Sequence, residues 1–213
     1  MAGRGREIYK RSAKGICGSG ILDLLAELYR AGVILKSGSF SPQQRSGRYR
    51  KASNNGQQEF VIAWAKETSI GKDVVITQKD IRQIQLSKGA LYCGCKLMMR
   101  RLGVEKVDRV KIAGAFGTHV DREKALIMGR FPDCEIDSIL SIGNAASDGA
   151  RAALLNREKR AEAEWVSRKV QYIELTLKTD FDIEFVEAMQ IPHMKDIFPH
   201  LNGLVAEKVL YQK

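Results

Sequence analysis

The sequence predicts an α/β fold, and three units carry that prediction. A short apolar run, Val110-Lys111-Ile112-Ala113, ends in Gly114-Ala115-Phe116-Gly117 and leads through Thr118 to Asp121 into a helical pattern, which reads as strand, glycine loop and helix. A glycine-rich loop, Gly15 to Gly20, opens a helix with apolar residues at 21, 24, 25, 28 and 31 on one face. A strand from Ile136 to Ile142 passes through Gly143-Asn144-Ala145-Ala146 into a helix of very small residues. Strands alternating with helices imply layered α/β packing.

At 213 residues the chain suits one domain or two small ones. A hydrophobic fraction of 44% and a charged fraction of 28% are ordinary for a globular protein. The net charge of +10 sits largely in two places. One is a basic leader over residues 1–14 (Arg4, Arg6, Lys10, Arg11 and Lys14 against Glu7). The other spans Lys36 to Lys51, where Lys36, Arg45, Arg48, Arg50 and Lys51 meet no acid. Either can serve an acidic partner or phosphates, or be a solvated tail and a surface loop. No familiar nucleic-acid-binding motif accompanies them, so nucleic acid is not an expected partner. The four cysteines, Cys17, Cys93, Cys95 and Cys134, are too scattered for a disulfide scaffold and fit a reducing cytoplasm. No Cys-x-x-Cys is present, so the expectation is no metal and no iron–sulfur cluster held by this chain. No apolar run approaches the ~20 residues of a membrane span.

Taken in order, Ser19 is the expected N-cap of the first helix, Asp23 lies in its first turn and Gly32 ends it. The loop before it can present backbone N–H groups and a helix dipole to an anion, or be a flexible lead into a packed helix. Residues 36–58 read as a surface excursion. Strands follow at Glu59–Ala65 and Val74–Ile76. Thr77-Gln78-Lys79-Asp80 then caps a helix running to about Leu102 before Gly103. Its apolar stripe is Ile81, Ile84, Leu91, Cys95, Met98 and Leu102, interrupted by Lys88. A lysine on a core-facing stripe needs a carboxylate, a route to water or a phosphate-bearing ligand. Gly89 and Gly94 each cost about 1 kcal/mol relative to alanine in a helix, so close packing is expected there. Asp121 caps a short helix ended by Gly129. A charged helix follows from Asn156 to about Lys169, then a strand from Val170 to Leu175, a short helix around Glu184 to Met189, and a tail over 191–213. His193 and His200 read as surface residues.

The ordered glycine elements at 15–20, 114–117 and 143–146, with Asp80 to Ala90, resemble the C-terminal region of the reductive activators of corrinoid proteins. These are members of the superfamily of acetate and sugar kinases, heat-shock chaperones and actin. The resemblance runs from about Gly15 to about Met189, and a more distant one extends to the activators of hydroxyacyl-CoA dehydratases. It implies a ribonuclease-H-like, actin-like ATPase half over residues 15–190. It also implies that ATP use drives electron transfer from a separate iron–sulfur domain to a Co(II) corrinoid on a methyl-carrier protein. By resemblance, Gly114, Ala115, Phe116 and Gly117 form the adenosine loop, Gln85 and Lys88 flank the base or ribose, and Gly18, Ser19, Gly20, Gly143 and Asn144 line the cleft.

The family's Asp-x-Gly-Thr loops, which hold phosphates and magnesium, would lie upstream of Gly15 and do not occur here. The expectation is therefore half of a nucleotide cleft, taking ATP or ADP with Mg2+ only once completed by an upstream phosphate-loop and iron–sulfur part. The catalytic residues are not assigned, and a homodimer is plausible through the unpaired surface. Two other readings stand beside this one: an activator of a dehydratase or kinase-like ATPase, and a docking module using the basic 36–51 segment.

Overall fold

In the computed structural model, residues 13–210 are described apart from 44, 53–55, 115 and 178 and the side chain of Phe116. Most of the basic leader, Ala115 and the side chain of Phe116 thus lie outside the described residues. Helix α1 (Gly18–Arg30) is followed by strands β1 (Tyr49–Lys51), β2 (Gln58–Ala63) and β3 (Val74–Thr77), which form an antiparallel sheet in that order. Helix α2 (Gln78–Leu102) leads to β4 (Val110–Ile112), α3 (Arg122–Ile127) and β5 (Ile139–Ser141), and β4 and β5 pair in parallel. Helices α4 (Ala145–Leu155), α5 (Arg157–Lys169), α6 (Phe181–Ala188) and α7 (Glu207–Leu210) complete the order.

Local chemistry sets most boundaries. The Thr77 side chain accepts from the Asp80 N–H while Asp80 reaches back to the Thr77 N–H, the reciprocal box that starts α2. Gly103, at φ 65°, ends it in the left-handed region that glycine tolerates. Asp121 caps α3 by accepting from the Lys124 N–H at 3.0 Å, and Asn156 caps α5. At α1 the cap is Cys17, one residue before the helix, and the expected cap Ser19 sits inside the first turn. The stretch 170–175 is not a strand; it is irregular chain ending in a 3-10 turn, Leu175–Leu177.

The core is built from α1, α2, α3 and the C-terminal segment, with Leu25, Tyr29, Ile81, Leu126, Ile127, Ile191 and Leu201 fully buried. Two expectations change here. Residues 191–210 are not a loose tail, since Ile191, His193, Phe198, Leu201, Val205 and Val209 are all buried. The 36–58 excursion is also anchored: Phe40 and Ser41 are buried, β1 extends the sheet, and Arg50 pairs with Glu59 and Asp73, each at 2.8 Å. Arg48 donates to the carbonyls of Val61 and Ile62.

Candidate nucleotide-binding edge

Parallel pairing of β4 with β5 puts Val110 opposite Ile139 and Ile112 opposite Ser141, so the two strands end together. Beyond them the Ile142 N–H donates to the Ile112 carbonyl at 3.0 Å and the Gly114 N–H to the Gly143 carbonyl at 2.7 Å. Two glycine loops 29 residues apart in sequence numbering (143 − 114) are thereby joined at the C-terminal edge of the sheet, where α/β folds place ligands. Gly114 adopts φ 100° and Gly143 φ 67°, and a Cβ on either would meet nothing within 4 Å. Both therefore present bare, accessible backbone. Gly117 differs: a Cβ there would come within 2.6 Å of Ile112 Cγ2, so its role is close packing under the loop. The Asn144 side chain is committed as the cap of α4, accepting from the Ser147 N–H at 3.2 Å. The positive end of that helix dipole lies next to Gly143.

Gly18, Ser19 and Gly20 form the first turn of α1. The Cys17 thiol accepts from the Gly20 N–H and lies 3.4 Å from the Ser19 hydroxyl; these hydrogen bonds, Ser19's first, lower its pKa. Helix α1 packs on α3, the helix that follows the Gly114–Gly117 loop. Arg30 reaches Glu123 at 2.7 Å, and Lys124 lies near Asp23 and Glu27.

Gln85 and Lys88 have a different setting from the one expected of ligand-flanking groups. Lys88 is 2% exposed, and its ammonium donates to the carbonyls of Ala188, Gln190 and Pro192. These oxygens stand at the negative end of α6 and just beyond it, where a cation is favoured. Burial and the neighbouring Lys36 pull its pKa down to about 7. Gln85, 1% exposed, donates to the carbonyls of Ser37 and Met189 and accepts from Arg82. Both side chains fasten the 188–192 turn onto α2. The buried face of α2 is accordingly Ile81, Gln85, Lys88, Gly89, Tyr92, Cys93 and Leu97, while Leu91, Met98 and Leu102 of the expected stripe are exposed. The stripe shifts because polar side chains on this face find backbone partners.

The same turn carries a cluster that the sequence reading missed. His193 is 1% exposed rather than a surface residue, stacked on Tyr92 with ring centroids 4.8 Å apart. Its Nε2 lies 3.2 Å from buried Glu184, and Glu184, Glu187 and His193 offer ligand atoms within 4.8 Å of one another. The tautomer argues against a metal. Nδ1 accepts N–H groups from Lys195 and Asp196, so in the neutral ring the proton sits on Nε2 and that lone pair is unavailable. Arg100 takes the other Glu184 oxygen and Lys195 takes Glu187. His200 is 34% exposed, held between Asp133 at 2.7 Å and Glu135 at 3.0 Å. The partners of both histidines lie on other elements, beyond any sequence spacing, apart from the two N–H groups just after His193.

No described helix is long and apolar enough to cross a membrane. The chain matches the family model described as the C-terminal domain of RACo, the ASKHA domain, over residues 3–202. It is 38% identical over 195 residues to the corrinoid activation enzyme RamQ of Eubacterium limosum, covering 88% of this chain and 32% of that protein. The solved structure of a reductive activator for corrinoid, iron-sulfur protein superposes with a TM-score of 0.75 at 41% identity, covering 84% of this chain and 29% of that one. The chain thus spans about a third of the length of these relatives. Mixed α/β layers and this likeness fit an actin-like ATPase fold. With nearly its whole length matched, this chain belongs to the family of C-terminal ASKHA domains of the reductive activators of corrinoid proteins.

Proposed function

We propose that this chain is the nucleotide-recognising part of a reductive activator, which couples ATP use to electron transfer from an iron–sulfur domain to the Co(II) corrinoid of a methyl-carrier protein. The observation that supports it most is the hydrogen bond from Gly114 to Gly143, which joins two open glycine backbones at the C-terminal edge of β4 and β5. Bare backbone there lets a flat base or a ribose approach closely, and the first turn of α4 favours a negative group. The first turn of α1, Gly18 to Gly20, supplies the second helix start of the cleft. Gln85 and Lys88 serve one step behind, by holding the 188–192 turn in place. Phosphate and magnesium binding belong in this reading to an upstream half carrying the Asp-x-Gly-Thr loops. The names of the relatives favour a corrinoid protein as the partner over a dehydratase. The docking alternative loses ground because Arg48 and Arg50 are engaged within the fold.

Calorimetry with Mg-ATP and Mg-ADP, on a protein extended upstream to include the missing loops, tests the proposal. Saturable binding is expected. Gly114→Val and Gly143→Val, each forcing a β-branched residue into positive φ at the open edge, should weaken it by roughly tenfold or more. An extended, folded protein that binds neither nucleotide would overturn the reading.

A further inference from the structure

The C-terminal segment is fastened to the rest of the chain at several points, and one of them depends on a proton. Phe198 and Leu201, both buried, seat the 3-10 turn Pro199–Leu201 in the core. Between them His200 turns to the 132–135 loop, the chain that joins α3 to β5, and meets a carboxylate with each ring nitrogen. Nδ1 lies 2.7 Å from Asp133 Oδ2 and Nε2 lies 3.0 Å from Glu135 Oε1.

A neutral imidazole carries one N–H, so it can donate to only one of these acids and turns a lone pair on the other. The imidazolium donates to both. Isolated exposed ion pairs contribute little, but the Asp133 side chain is only 14% exposed, and its Oδ1 has no hydrogen-bond partner among the described residues. That carboxylate therefore relies on His200: burial pushes its pKa up, and the His200 ring and backbone pull it down. The hydrogen bond to Asp133 in turn raises the His200 pKa, with Glu135 adding to it and burial opposing. The other charged groups that line the same cavity as His200 are matched or solvated. Lys96 pairs with Asp196, Arg100 with Asp180 and Glu184, and Glu105, Lys106 and Asp108 are exposed.

We propose that His200 is a pH-sensitive clasp: as an imidazolium it ties the C-terminal segment to both acids of the 132–135 loop and steadies the lead into β5, and loss of its ring proton undoes one tie. Because its folded pKa is raised, the clasp is closed below the unfolded value of 6.5 and is lost as pH rises through the folded value. With the ring 34% exposed, the proton can leave without unfolding. His193, earlier on the same segment, is buried with a lowered pKa and titrates below this range.

The test is an NMR titration of the 213-residue chain from about pH 5 to pH 9, the span in which histidine changes charge. It reads the His200 ring, assigned by the signal missing in His200→Gln. It also reads hydrogen exchange at the Leu201 and Asn202 N–H groups, which bond the Phe198 and Pro199 carbonyls, each at 3.1 Å. A His200 midpoint above that of free imidazole is expected, lowered in Asp133→Asn and also in Glu135→Gln. The second variant guards against disturbance of the loop by the first, since the Glu135 side chain is 75% exposed. Corrected for its intrinsic pH dependence, exchange at the two amides should speed up across the titration by the factor that the midpoint shift sets, tenfold per unit. In His200→Gln it should stay flat. A midpoint at or below that of free imidazole, a midpoint that either acid substitution leaves unmoved, or exchange that rises equally in His200→Gln would overturn the clasp.

Discussion

The His193 ring is held neutral by its surroundings. Burial is the largest influence and takes its pKa down to about 4; Asp196 and Glu187 oppose this, while Lys88 and Lys96 add to it. Free imidazole titrates near 6.5. Between pH 6.5 and about 4 the unfolded chain therefore binds a proton that the folded one refuses. Stability rises with pH through that window and is lost as pH falls, by up to about 3 kcal/mol at the low end. In urea unfolding, His193→Asn, whose amide oxygen can replace Nδ1 as acceptor, is expected to be less stable at pH 7 yet to lose less between pH 7 and pH 4.5 than the parent chain. Parallel losses would assign the acid sensitivity to groups other than His193. Lys88 shows the same limit on sequence reasoning. Its place on a mostly apolar face was visible as an anomaly, but its partners, three carbonyls about 100 residues away in sequence, were not.

At the level of the element, α2 was legible in its ends and not in its buried face. The box at Thr77 and Asp80 and the stop at Gly103 are written in local chemistry, which a sequence displays directly. The face it buries depends on α6, and on whether polar groups meet carbonyls there. The glycines separate the two kinds of cause. A Cβ on Gly89 would lie 3.1 Å from Met189 Cγ and 3.4 Å from backbone atoms of Met189 and Phe185, so the Met189 side chain at the end of α6 would have to give by a few tenths of an ångström. On Gly94 it would meet only Leu175 Cδ1 at 3.7 Å, an ordinary contact. Gly94→Ala should therefore gain most of the ~1 kcal/mol that alanine offers in a helix. Gly89→Ala should lose about 1 kcal/mol or more, as overpacking outweighs propensity. Thermal midpoints that move in opposite directions would bear this out; two equal rises would mean that α6 approaches less closely than the 3.1 Å contact implies.

For the whole molecule, alternation of strands and helices announced the α/β class, and the glycine loops announced the edge where β4 and β5 end. Alternation did not reveal how little covers that parallel pair, because coverage is a property of tertiary partners. Parallel strands are ordinarily buried on both faces. Here Leu140 and Ile142 are exposed, and none of the residues of α4 or α5 is buried; Leu155 is 82% exposed and Trp165 61%. A helix pair that presents Leu154, Leu155, Trp165 and Val166 to water has not found its packing partner within the described residues. If the chain is half of a nucleotide cleft, the upstream half is the natural cover, and Trp165 reports on it. The second tryptophan, Trp64, lies beneath the guanidinium groups of Arg48 and Arg50 and is removed from the signal by Trp64→Phe. In that background, acrylamide should quench Trp165 freely in the 213-residue chain. Its emission should shift to shorter wavelength, and quenching should fall several-fold, in a protein extended upstream. Undiminished quenching in a folded, nucleotide-binding extended protein would place the junction of the two halves away from α4 and α5.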